Sequence, residues 1–112
     1  MRNRLFLTFL LIAGILLWMS AAEATLQANK LFKETYPGKE TAYYKCSICH
    51  IGAIGKKGQL NPYGQSLKLQ LPAALTAEQL KAAESLDPDG DGVPSGKEIE
   101  AGKLPGDPAS HP

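Results

Sequence analysis

Residues 5–19, Leu-Phe-Leu-Thr-Phe-Leu-Leu-Ile-Ala-Gly-Ile-Leu-Leu-Trp-Met, hold Thr8 as their only polar side chain and take a large share of the apolar residues of a 112-residue chain. Whatever this run withdraws limits the core that the rest can build. Arg2 and Arg4 stand before it and Ala22-Glu23-Ala24 behind it, the positive start and small-x-small end of a secretory signal peptide cut after Ala24. An uncleaved membrane anchor would need about 20 apolar residues, and this run has 15. Residues 1–24 are therefore expected to leave, with no stable membrane span after cleavage and a periplasmic or secreted destination. No cysteine directly follows the run, so a lipid-modified amino terminus is not expected.

The predicted mature part, residues 25–112, is one small domain; a two-domain enzyme is excluded by length. Met1, Met19 and Trp18 all lie in the leader, so this part has neither Met nor Trp. Hydrophobic burial alone stabilises a chain of this size only marginally, and such chains often recruit a disulfide, a metal or a cofactor. Its charge is also divided. Residues 25–68 carry Lys30, Lys33, Lys39, Lys45, Lys56, Lys57 and Lys68 against Glu34 and Glu40, whereas residues 69–112 carry three Lys against four Asp and four Glu. Anionic partners are expected near the first half and a cation near the second, while the Lys residues alone read as a solvated surface. No nucleic-acid partner is expected.

The coarse pattern is helical. Thr25 caps a predicted helix over residues 26–35, which stops at Tyr36-Pro37-Gly38 because Pro removes a donor. Asn61-Pro62 starts a second, running to Leu69 and ended by Leu71-Pro72. Thr76 and Gln79 form a capping-box pattern before a third over residues 77–86, with Leu80 and Ala83 on one face. Ile51 to Leu60, with Gly52, Gly55 and Gly58, reads as an exposed loop able to wrap closely around something. Residues 103–112 are expected to be an extended tail. No strand alternation is found, which predicts an all-α domain with long loops.

Cys46-Ser47-Ile48-Cys49-His50 spells C-x-x-C-H, the attachment sequence for c-type haem. Two thiols three positions apart on one helical turn can each add to a vinyl group of one porphyrin, and His50 then lies beneath the iron. The competing readings are a disulfide, a redox dithiol and a zinc site. The dithiol lacks the βαβ pattern of a thioredoxin-like fold, and zinc would need His111 or a carboxylate as a fourth ligand.

On these residues the chain resembles the small monohaem c-type cytochromes. The resemblance implies a helical domain around one covalent haem, held by Cys46, Cys49 and His50. In that family a Pro twelve residues after the His offers its carbonyl to the free ring nitrogen; Pro62 stands there, within a Leu60-Asn61-Pro62-Tyr63-Gly64 segment similar to the family's Gly-Pro-x-Leu-x-Gly element. The family's usual Met sixth ligand has no counterpart here, which leaves His111, a Lys, Tyr63 or water. Such ligation implies a potential below that of Met-ligated cytochromes. Phe32, Tyr43, Tyr44, Leu60, Tyr63, Leu67 and Leu71 are expected to cover the porphyrin.

Asp87-Pro88-Asp89-Gly90-Asp91-Gly92-Val93-Pro94-Ser95-Gly96-Lys97-Glu98 fits the calcium loop D-x-D-x-D-G-x5-E. Asp87, Asp89 and Asp91 would give carboxylate oxygens, Val93 its carbonyl, Ser95 a hydroxyl or bridging water, and Glu98 two oxygens. The plain alternative is an acidic turn, since Asp-Pro and Asp-Gly form turns, but turn chemistry does not explain Glu98. The loop resembles EF-hand and thrombospondin type 3 calcium loops. Pro94 departs from the EF-hand pattern, which implies a single structural loop within a helix–loop–helix over residues 77–102.

Together these features predict an exported electron carrier rather than an enzyme, passing single electrons to redox partners acidic at the docking face, with Lys56 and Lys57 beside the haem edge. The alternative is a haem protein whose open or weak sixth site binds a small ligand or processes peroxide.

Overall fold

In a computed structural model, residues 26–55, 59–69 and 74–112 are described. The expected leader, Thr25, Lys56, Lys57, Leu71 and Pro72 lie outside them. The described residues form four α-helices: α1 over residues 26–35, α2 at Pro62–Leu69, α3 at Ala77–Ala82 and α4 at Ser95–Glu100. Short 3-10 turns occupy Thr41–Tyr43, Cys46–Ile48 and Ala83–Ser85. Among the described residues there is no sheet, only an isolated antiparallel bridge between His50 and Leu60. Nor is any described helix long and apolar enough to cross a membrane.

Local signals explain the helix ends. Helix α1 stops where Pro37 cannot supply an N–H. Pro62 is the first residue of α2, where its missing donor costs nothing, and the Asn61 side chain accepts from Gly64 N at 2.9 Å. Helix α3 begins with a complete capping box: Gln79 N donates to Thr76 Oγ1, and Thr76 N to the Gln79 side chain. It is shorter than the expected 77–86 span. From Ala83 the chain tightens into a 3-10 turn, where Gly96 of α4 presses against Glu84.

The core draws on all four described helices and the cysteine turn: Phe32 and Tyr36 from α1 and its end, Ile48 from the cysteine turn, Tyr63 and Leu67 from α2, Leu80 and Ala83 from α3 and its 3-10 extension, and Ile99 from α4. The Phe32 and Tyr36 rings meet at a tilt, centroids 4.9 Å apart, and the Tyr36 hydroxyl donates to the Leu80 carbonyl at 3.1 Å. Phe32, Tyr63 and Leu67, three of the residues expected to cover a porphyrin, are buried members of this core. Tyr43 and Tyr44 pack half-buried against it.

The carboxyl-terminal segment corrects another expectation. Residues 103–112 are not extended but turn back on the domain, with Pro105 and Gly106 buried. Asp107 N donates to the Leu104 carbonyl, Ser110 N to the Asp107 carbonyl, and Leu104 N to Ser110 Oγ at 3.0 Å. The reason is steric: Gly106 lies so close to Asn61 that a Cβ there would sit 2.5 Å from Asn61 Oδ1. Only glycine permits that approach.

Candidate functional site

Two groups of side chains stand out, one on each half of the chain. In the first, Cys46 opens a 3-10 turn and Cys49 closes it, with Cys49 N and His50 N both donating to the Cys46 carbonyl. The two sulfurs are half-buried and not bonded to each other. Burial, then the neighbouring Cys46, pushes the Cys49 thiol up to about 12, the opposite of the lowered value that activates a redox dithiol.

His50 follows on the same turn, half-buried, with Nδ1 3.2 Å from the Gln59 carbonyl. The His50–Leu60 bridge brings that carbonyl into place, since Ile51 N donates to Gln59 as well. Pro62, expected to offer its carbonyl to this ring, is exposed at the first turn of α2. Gly55 folds back over the motif: a Cβ added there would lie 3.4 Å from the His50 ring and 3.5 Å from the Cys46 sulfur. Beside it, Ile51 and Ile54 are 61% and 72% exposed, so apolar side chains face water on the loop that wraps the cysteines.

Asn61 holds this turn from behind. Its Nδ2 donates to the carbonyls of Ser47 (3.0 Å) and Ile48 (2.9 Å), and its backbone N to that of Cys49. The sequence marks Asn61 only as a helix cap; nothing local reveals the second task, which needs contacts 13 and 14 residues away. Among the other expected iron ligands, His111 is exposed near the chain end, and Tyr63 is fully buried with a hydroxyl that has no hydrogen-bond partner among the described residues.

The second group is the acidic loop. Carboxylate oxygens of Asp87, Asp89 and Asp91 converge within 4.8 Å of one another. The loop is shaped by its own amides: Gly90 N and Gly92 N donate to Asp87, Asp91 N to Asp89 Oδ1, and Val93 N to Asp91 Oδ1. Gly92 takes a φ of 90° at the sixth position, a left-handed bend that favours glycine. Ser95 N donates to the Leu86 carbonyl at 2.8 Å and ties the two ends of the loop together. Pro94 caps α4 without an N–H.

Four of the six expected calcium ligands carry buried oxygens with no hydrogen-bond partner among the described residues: Asp89 Oδ2, Asp91 Oδ2, Ser95 Oγ and both carboxylate oxygens of Glu98. Ser95 and Glu98 are 0% exposed. An uncompensated buried carboxylate is strongly unfavourable. Burial first, then the charges of Asp89 and Asp91, pushes Glu98 up to about 7, and burial likewise raises Asp89. This donor set, all hard oxygen, fits a cation that takes six to eight oxygens. Val93, half-buried, lies at the position whose carbonyl would join them.

No family model matches the chain, and no curated protein and no solved structure is significantly similar to it.

Proposed function

We propose that this chain is an exported single-electron carrier of the monohaem c-type cytochrome kind, its carboxyl-terminal half held by one calcium ion. The observation that carries the first part is the C-x-x-C-H constellation on one tight turn, two unjoined sulfurs followed at once by an imidazole. Cys46 and Cys49 would tether the porphyrin and His50 would coordinate its iron. Haem, when bound, supplies the one-electron couple. The Gln59 carbonyl holds the His50 ring by Nδ1, the kind of contact that fixes a ligand's tautomer and orientation. The family resemblance gives that contact to the Pro62 carbonyl, whereas here the carbonyl that faces Nδ1 is that of Gln59. Ile51 and Ile54 offer apolar surface that a porphyrin would take from water.

The observation behind the calcium part is Glu98, a fully buried carboxylate whose two oxygens lack partners among the described residues and whose neighbours are Asp89 and Asp91. A cation among them converts mutual repulsion into attraction. Asp87, Asp89, Asp91, Val93, Ser95 and Glu98 would be its ligands.

The second reading, a haem protein that binds a small ligand or processes peroxide, draws on one fact: residues 25–112 contain no Met. Intact mass and visible spectra of protein exported from a cell with haem-attachment machinery test the proposal. Residues 25–112 plus one haem, with a low-spin spectrum indifferent to carbon monoxide, is the expected result. A shift with carbon monoxide favours the second reading, and colourless protein with its two sulfurs oxidised to each other defeats both.

A further inference from the structure

Glu98 faces two ways. Its side chain ends in the acidic loop, and its backbone carbonyl accepts from Lys103 N at 2.8 Å. The Lys103 carbonyl in turn accepts from the Tyr43 hydroxyl at 2.8 Å, across 60 residues. Tyr43 stands three residues before Cys46. Beyond Lys103 the chain turns through Leu104 and Pro105 to Gly106, which rests on Asn61. Asn61 binds the carbonyls of Ser47, Ile48 and Cys49. Two short, continuous paths thus lead from the acidic loop to the cysteine turn, one through Tyr43 and one through Asn61.

We propose that calcium in the 87–98 loop and order in the Cys46–His50 turn are thermodynamically linked, with residues 102–110 as the clamp between them. The inference rests on the calcium reading above and not on the haem reading. Without the cation, the buried Glu98 carboxylate opposes Asp89 and Asp91, and the start of α4 is the place where that repulsion can relax. With the cation, α4 is fixed, Lys103 is held by the Glu98 carbonyl, and the turn from Leu104 to Ser110 is seated on Asn61. Calcium therefore does more than close its own loop: it sets the surface on which the two sulfurs and His50 are presented. Linkage is reciprocal, so whatever orders the cysteine turn raises calcium affinity by the same factor.

The test uses the full exported chain, stripped with chelator and titrated with calcium by calorimetry, both haem-loaded and as the Cys46→Ala/Cys49→Ala variant. Amide exchange at residues 47–50 is read with and without calcium. The native chain is expected to bind one calcium and to slow exchange at the cysteine turn. Asn61→Ala is expected to bind calcium at least about fivefold more weakly, the lower end of ordinary coupling, and to lose the calcium effect on exchange. Tyr43→Phe keeps the ring, removes only the bond to Lys103, and carries the test if Asn61→Ala does not fold. A native chain that binds no calcium defeats the calcium reading itself. Calcium affinity and exchange unchanged in folded Asn61→Ala and Tyr43→Phe leave the site standing and overturn the linkage alone.

Discussion

The cysteine turn and the acidic loop are incomplete in opposite chemical senses. Around His50 the chain leaves Ile51 and Ile54 in water, apolar surface without a cover. Around Glu98 it takes carboxylate and hydroxyl oxygens out of water and gives them no partner among the described residues. A large, flat, apolar group would meet the first deficiency and a small, hard cation the second. A small domain with a limited core could use both, because each ligand would add free energy that its own residues do not supply. The two sites also differ in how they are built. The acidic loop is shaped by amide-to-carboxylate bonds within a few residues, whereas the cysteine turn is held by Asn61 and overlaid by Gly55.

The largest effect that could break this contrast is loss of colour. Cys46→Ala/Cys49→Ala is expected to remove all covalent haem, seen as loss of the visible absorbance and of one haem mass, while calcium binding by calorimetry persists. A red protein from that variant would show that the sulfurs are not the attachment points. Next comes Leu80→Ala, which opens a cavity where α3 meets the core; a loss of about 2–5 kcal/mol is expected in denaturant unfolding.

Glu98→Gln separates the senses of the two sites by sign. In calcium it is expected to lower the melting temperature and abolish cation binding. In chelator at pH 8 it is expected to raise stability by on the order of 1 kcal/mol, because it removes an uncompensated buried charge. The same sign in both conditions would mean that the loop holds no cation. Thr76→Ala, which removes half of the capping box, is expected to cost about 1 kcal/mol with or without either ligand. The smallest effect sharpens the apolar side: Ile54→Ser is expected to change the colourless variant by no more than about 0.5 kcal/mol, yet to destabilise the haem-loaded chain. Equal effects in the two forms would remove Ile54 from the haem surface.

What could be read directly from residues was local. The Thr76–Gln79 box, the Pro62 start of α2, the Pro37 stop of α1 and the left-handed bend at Gly92 follow from rules that span at most a turn or two, and the structure carries each of them. The acidic spacing foretold the convergence of Asp87, Asp89 and Asp91 for the same reason: all three lie on one short loop.

The sequence by itself determined the helical class, the starts of α2 and α3 and the two groups of candidate ligand residues, because backbone sterics and short-range hydrogen bonds act between near neighbours. Tertiary structure decided the rest: that Phe32, Tyr63 and Leu67 are buried members of one core, that Glu98 is fully enclosed, that Gln59 faces His50, and that residues 103–112 fold onto Asn61. Those outcomes depend on which distant surfaces fit together, as in the 60-residue span from Tyr43 to Lys103, and no local pattern encodes the shape of a contact that forms only when the chain has closed on itself.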